Sequence, residues 1–144
     1  MRRGSRHLSR DGEAGQALVE FAMAITVFLL LIMAVVDLGR LAYQYNGVTE
    51  TVHELARTTS VYAGSPLGSS SETLSVLQTQ RRMVPGLGTP SYVCVDIAGA
   101  PLSATCPGGG WVRVTISSTF VPSSPLVVLL GTIVLTTSAS AQIQ

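Results

Sequence analysis

The stretch AGQALVEFAMAITVFLLLIMAVVDLGR, residues 14–40, decides the fold because its centre is long and apolar enough to cross a membrane as one helix. Residues 21–36 carry no charge, and Thr26 is their only polar residue. A helix rises about 1.5 Å per residue, so residues 14–36 reach roughly 34 Å, against about 30 Å of hydrocarbon in a bilayer. We therefore expect a single transmembrane helix in this stretch.

The composition follows from that stretch. The 144 residues allow one modest domain plus an appendage. They are 47% hydrophobic and 12% charged, whereas soluble domains average about 25% charged residues. The net charge is +1, and the basic residues are all arginines without interleaved aromatic residues. We therefore expect membrane lipid, and no nucleic acid, around this chain.

The charges that flank the apolar run predict its orientation. Four arginines precede it and two acids oppose them: Arg2, Arg3, Arg6 and Arg10 against Asp11 and Glu13. At the far end Asp37 and Arg40 cancel. By the positive-inside rule the N-terminus stays in the cytoplasm, and the C-terminal part lies outside the cytoplasmic membrane. A cleaved secretory signal is disfavoured because the run is long and no small-x-small site follows Val36.

Glu20 at the start of the run has two interpretations. In the first it lies at the inner membrane edge and reaches water. In the second, Gly15, Gln16, Glu20 and Phe21 form a G-x-x-x-x-E-F pattern that resembles the processing motif of prepilins. That resemblance implies a membrane peptidase that cuts after Gly15 and leaves Gln16 as the new N-terminus. A carboxylate within a membrane is tolerated when an opposite charge pairs with it, and a neighbouring subunit's α-amine would serve.

Both ends of the chain resemble the TadE-like family, the minor pseudopilins of bacterial tight-adherence pilus systems. The segments are GQALVEFAMAITVFLLLIMAVVDLGR, residues 15–40, and WVRVTISSTFVPSSPLVVLLGTIVLTTSASAQIQ, residues 111–144. The resemblance implies pilus assembly, with other pilins or pseudopilins, tight-adherence machinery proteins and a prepilin peptidase as partners. Many members carry a proline within the membrane helix. Ala24, Ile25 and Thr26 occupy that region here, so this chain lacks the residue that kinks the helix in those members.

Asp37 and Arg40 are three residues apart, on one helix face. At the end of the apolar run, we interpret them as membrane-boundary anchors among the headgroups, with a mutual ion pair worth a few tenths of a kcal/mol.

The helical pattern continues beyond the membrane to about Val61, because apolar residues recur at three-four spacing through residues 48–59. Gly64, Ser65, Pro66 and Gly68 end it. Ser69 and Glu72 fit a capping box, and a second helix follows that stops before Pro85.

The period then changes from helical to two. Strands are predicted at residues 92–97, around residues 112–116 and from Ile133 onward. The expected fold class is α+β: a long transmembrane helix that continues outside the membrane, a second short helix and an antiparallel sheet of about three strands. We divide the chain into a basic cytoplasmic leader (1–15), the transmembrane and extended helix (16–63) and an extracytoplasmic α+β domain (64–144).

Residues 126–130 are apolar but too few to span a bilayer. We expect them to pack on the sheet; contact with the membrane surface or with a partner is the alternative.

Cys94 and Cys106 lie outside the cytoplasm in this topology, where disulfides form. Closing a loop of that size stabilises the fold by about 3 kcal/mol in the chain-entropy treatment. A metal site would need further ligands, and no histidine or acidic cluster stands near them, so we predict a structural disulfide and no metal.

No residue stands in a recognisable catalytic spacing and no phosphate-binding loop follows a strand. We expect no enzyme activity, no cofactor and no small-molecule substrate. The favoured function is that of a minor pseudopilin in tight-adherence pilus assembly. The alternatives are an uncleaved bitopic anchor whose outer domain binds a secretion or envelope partner, and a secreted enzyme, which the absent signal-peptidase site disfavours.

Overall fold

The computed structural model describes residues 8–62, 66–102, 106, 109–129 and 131–144. Two helices of more than one turn, a short helical turn and three strands follow one another along the chain. They are α1 (Leu8–Val61), α2 (Ser71–Met83), β1 (Ser91–Val95), β2 (Trp111–Phe120), α3 (Pro125–Val128) and β3 (Ile133–Gln142). The strands form one antiparallel sheet in the order β1-β2-β3. The predicted α+β class is confirmed.

Helix α1 is continuous and ends at Val61, where the sequence pattern ends it. In the apolar run, Thr26 donates its hydroxyl to the carbonyl oxygen of Ala22 at 2.7 Å, so its one polar group is satisfied within the helix. Gly64 and Ser65, two of the residues predicted to end this helix, lie outside the described residues.

The cap of helix α2 differs from the prediction. Ser70, not Ser69, is the N-cap: its backbone is extended and its hydroxyl accepts the N–H of Thr73 at 3.2 Å. The expected Ser69–Glu72 capping box is therefore wrong, because Glu72 stands one position too early in the first turn to reach back to the cap.

The sheet pairs as a meander. Strand β1 ends at Val95, opposite Trp111, rather than at residue 97. It ends there because a turn follows, in which Asp96 accepts the N–H of Ala100 at 2.8 Å and Gly99 adopts a φ of 84°. Strand β3 pairs with β2 along its whole length, from Gln142 opposite Trp111 to Ile133 opposite Phe120.

The core lies between the C-terminal half of α1, helix α2 and one face of the sheet. Alternate residues of β2 are buried, as its period-two pattern predicts. The buried residues that form the cluster are Val48, Val52, Leu55, Ala56, Leu77, Val84, Val112, Val114, Ile116, Ala139 and Ile143. Tyr92 packs at the margin of this cluster, where burial raises the pKa of its phenol and the charge of Arg81 opposes that rise.

Helix α3 contacts α1 and, among the described residues, none of the strands. The expectation that residues 126–130 pack on the sheet is therefore wrong for the part of that segment that the structure describes. The chain leaves β2 at Phe120 and is held against α1 by hydrogen bonds to Asp37 before it can fold back over the sheet.

The structure joins Cys94 to Cys106 by a disulfide, with their Cα atoms 5.4 Å apart. Cys94 is buried at the end of β1, and its carbonyl oxygen accepts the N–H of Leu102 at 2.8 Å. The bridge therefore closes the connection between β1 and β2 onto the edge of the sheet.

Candidate functional site

The first half of helix α1 stands apart from the core. Its most apolar window has a mean hydropathy of 2.7, and none of that window is buried within the chain. The buried apolar residues of α1 begin only at Val48. An apolar helix that its own domain leaves uncovered needs lipid or other helices around it. This single long helix suggests a single-pass membrane protein.

The residues of the processing motif all lie within that uncovered half. Gly15, Gln16, Glu20 and Phe21 are helical and exposed. A side chain added at Gly15 would meet nothing within 4 Å. Gln16 and Glu20 are four residues apart and therefore lie one above the other on one face. The structure brings none of these four residues into contact with the folded domain formed by the C-terminal half of α1, helix α2 and the sheet.

Glu20 and Asp37 frame the apolar run. Seventeen residue steps separate them on one continuous helix, which corresponds to about 26 Å along the axis. The hydrocarbon core of a bilayer is about 30 Å thick. When Asp37 lies at one boundary, Glu20 therefore lies near the other.

Asp37 has a fixed place in the fold that the sequence did not indicate. It is 3% exposed, and one carboxylate oxygen accepts the backbone N–H groups of Ser123 and Ser124 at 2.9 and 2.7 Å. The other oxygen accepts a hydrogen bond from Arg40 at 2.9 Å. The carboxylate thus binds the connection that follows β2 to the end of the apolar run.

Arg40 holds the same connection through contacts of its own. Its guanidinium also donates to the hydroxyl of Ser123 at 2.6 Å, and it lies 5.6 Å from the centre of the Phe120 ring. Half of its side chain remains exposed. The predicted ion pair with Asp37 is present, and the assignment of both residues to the membrane boundary remains a prediction.

Gln44 continues the same helix face one further turn along. It is buried, and its amide nitrogen donates to the carbonyl oxygen of Pro85 at 2.9 Å and to the hydroxyl of Ser118 at 2.6 Å. Gln44 is not among the residues predicted from the sequence. Its spacing could have indicated a buried position, because positions 37, 40 and 44 continue the three-four spacing of the buried stripe that begins at Val48.

We call three residues of α1 the junction: Asp37, Arg40 and Gln44. They hold the end of β2 and the connection after it against α1, just where the helix leaves the apolar run. A polar contact at this point lets one continuous helix carry a folded domain without a hinge.

An open groove of about 310 Å³ lies between α1 and α2. Glu50 and Glu54 face it from α1, and Ser75 and Thr79 face it from α2. Among the residues that the structure describes, no three histidines, cysteines or carboxylates lie close enough together to hold a metal ion.

In a comparison with protein families, residues 15–57 match the model of the family described as TadE-like protein. The resemblance inferred from the N-terminal segment is confirmed over these residues. The match covers the exposed half of α1 and much of its packed half, and it leaves the sheet outside. The similarity of residues 111–144 to the family's ending stays a prediction. Neither the curated proteins nor the solved structures give a match.

Proposed function

We propose, from the TadE-like segment that forms most of helix α1, that this chain is a minor pseudopilin that takes part in assembly of a tight-adherence pilus. The match to residues 15–57 supports a pilus-related protein. The observation that carries the finer proposal is the placement of Gly15 and Glu20 on the uncovered, apolar half of α1.

The chain inserts as a precursor with its basic leader in the cytoplasm and its sheet outside. The arginines before the run and the balanced pair after it favour this orientation. A prepilin peptidase then cuts the bond between Gly15 and Gln16. Because that bond lies within α1, the helix must unwind locally in the peptidase, and glycine lowers the resistance by about 1 kcal/mol relative to alanine.

Cleavage makes the membrane helix suitable for lateral association. It removes the charged leader and creates an α-amine one helical turn from Glu20. The amine of one subunit neutralises Glu20 of the next, and the uncovered apolar side chains pack together. The junction makes the outer domain move with the helix when a subunit leaves the membrane.

The first test is the N-terminus of the mature chain. Intact mass and N-terminal sequencing of protein from native membranes should show a chain that begins at Gln16. Gly15→Val should leave the leader attached, whereas Gly39→Val, the same change at another exposed helical glycine, should leave processing intact. A wild-type chain that retains its leader would support instead the uncleaved anchor whose outer domain binds an envelope partner.

The second test separates the charge of Glu20 from its size. Glu20→Gln should reduce co-purification with other pilus components and reduce piliation, because the amide cannot neutralise an ammonium group. Glu50→Gln removes an exposed carboxylate from the packed half of the same helix and should change neither. Unchanged piliation in Glu20→Gln would show that the charge pair is not used.

A further inference from the structure

We propose that the connection between β2 and β3 rests on the lipid bilayer, with three apolar side chains in the interfacial layer of the leaflet from which the sheet emerges. These side chains, Val121, Val128 and Leu129, are called the apolar tip. The inference rests on the membrane-spanning part of the proposed function and adds a second membrane contact to it.

The height of the apolar tip is set by hydrogen bonds. Ser123 and Ser124 donate their backbone N–H groups to Asp37. Asp37 follows the uncharged run of residues 21–36 directly. Helix α3 then contacts α1 itself. The connection is therefore held at the level where the apolar helix surface ends.

The tip is exposed and apolar at that level. Val121, Val128 and Leu129 are 62%, 52% and 84% exposed. The last charged residue of the chain is Arg113, so no charge lies in the connection or in β3. The connection can therefore enter the interfacial layer without removing a charge from water, which would otherwise be the largest opposing effect.

The neighbouring cation suits the headgroup layer. Arg40 donates hydrogen bonds to Asp37 and Ser123. Half of its side chain nevertheless stays exposed, beside the ring of Phe120. A guanidinium in that position can bind a lipid phosphate while its aliphatic part covers apolar surface. The apolar tip thus lies on the connection that this cation contacts, and a leaflet boundary offers hydrocarbon to the one and phosphate to the other.

The opposite end of the sheet provides an internal control. Strand β2 runs for ten residues from Trp111 to Phe120, which is about 30 Å. At the far end Ile97 is 92% exposed, as open to solvent as Leu129, but it adjoins Asp96 and is distant from Asp37. The exposed fraction of an apolar side chain is therefore similar at the two ends of the sheet. The ends differ in their distance from Asp37, and hence from the proposed membrane boundary.

The experiment places an environment-sensitive fluorophore at single introduced cysteines in the full chain. The variants Leu129→Cys, Ile97→Cys and Leu29→Cys are labelled with nitrobenzoxadiazole without reductant, so that Cys94 and Cys106 stay paired. Each is reconstituted into vesicles of phosphatidylethanolamine and phosphatidylglycerol. Quenching is measured with lipids that carry a spin label near the headgroup, and separately with iodide present on both sides of the membrane.

We expect the label at position 129 to be blue-shifted, several-fold brighter than the label at position 97, quenched by the shallow lipid and protected from iodide. The label at position 97 should show the reverse, and the label at position 29 should report the hydrocarbon core. Iodide quenching at position 129 with lipid contact at position 29 would overturn the tip contact and leave the membrane-spanning helix in place.

Two other results have separate meanings. Protection of position 129 from both quenchers would mean that protein covers the tip, and the lipid contact would be wrong. Iodide quenching at all three positions would overturn the membrane insertion on which the proposal depends.

Discussion

A carboxylate directly after an uncharged apolar run needs partners, and Asp37 has three within its own chain. The two backbone N–H groups of Ser123 and Ser124 and the guanidinium of Arg40 surround it. Hydrogen bonds to a charged acceptor are stronger than those to a neutral one, and removal of the acceptor leaves the donors unsatisfied. Asp37 therefore stabilises the fold by connecting the helix to the chain that leaves β2.

Asp37→Ala should lower the thermal unfolding midpoint in detergent and increase amide exchange at Ser123 and Ser124, because both N–H groups lose their acceptor. Asp37→Asn keeps one acceptor oxygen and should lower the midpoint less. Asp96→Ala removes an acceptor from an exposed turn and serves as the control. Wild-type exchange rates in Asp37→Ala would contradict the role assigned to this residue.

Both the backbone conformation and the neighbouring ring of Tyr92 require glycine at position 68. Its φ is 77°, and a side chain there would press into the ring of Tyr92. Gly109 has a φ of 84° with open space around it. The pair therefore separates backbone strain from a steric clash.

Gly109→Ala should destabilise the protein by about 1 to 2 kcal/mol, the effect of a left-handed conformation on a residue with a side chain. Gly68→Ala should destabilise it further, because the half-buried Tyr92 must also move. Chemical denaturation of both variants measures the difference. Equal loss in the two variants would mean that Tyr92 moves aside freely.

At the scale of elements, α1 is one helix in two environments. Leu55 lies in the core with no exposed surface, whereas Leu31 in the apolar run is 58% exposed. The same residue type on the same helix is thus covered by protein in one half and left uncovered in the other.

Leu55→Ala should reduce the free energy of unfolding by about 2 to 5 kcal/mol, the range for large-to-small changes in a packed core. Leu31→Ala should leave the unfolding of the outer domain unchanged. Thermal unfolding followed by near-ultraviolet circular dichroism in detergent measures both. A similar loss in Leu31→Ala would show that the first half of α1 packs on the domain.

The β1–β2 connection is the element that the disulfide restrains. The bridge spans 12 residues of sequence. Reduction should lower the free energy of unfolding by about 3 kcal/mol on the chain-entropy treatment. Denaturation with and without dithiothreitol tests this, and the double variant Cys94→Ser, Cys106→Ser should be insensitive to the reductant. An unchanged wild-type midpoint under reduction would contradict it.

The whole molecule consists of an uncovered apolar half and a folded half that share one helix. Every buried apolar residue in the described parts of the chain lies at Val48 or beyond, and the junction lies between the two halves. The core is therefore complete without the apolar run.

A chain that begins at Asp37 should consequently be soluble without detergent and unfold cooperatively, whereas the full chain should require detergent or lipid. Sedimentation and circular dichroism distinguish these outcomes. Loss of cooperative unfolding in the shortened chain would mean that the apolar run contributes to the core. The control is the same shortened chain with Leu55→Ala, which should unfold earlier.

The sequence by itself determined the local features of this protein. The spacing of residues along the chain sets which of them share one face of a helix or strand. The recurrence of apolar residues therefore predicts these elements. The sequence predicted the C-terminal end of α1 near Val61, the second helix, three antiparallel strands and the TadE-like character of residues 15–57. The predictions about Gly15, Gln16, Glu20 and Phe21 concern other molecules, and they remain proposals.

Only the tertiary structure decided what lies against the end of the apolar run. Asp37 binds Ser123 and Ser124 across more than eighty residues of sequence, and Gln44 binds Pro85 and Ser118. No local pattern encodes a partner so distant, because one carboxylate or amide can be satisfied by many groups. For the same reason α3 lies on α1 instead of on the sheet, where its short apolar segment was expected: the distant hydrogen bonds of Asp37 hold the connection against the helix.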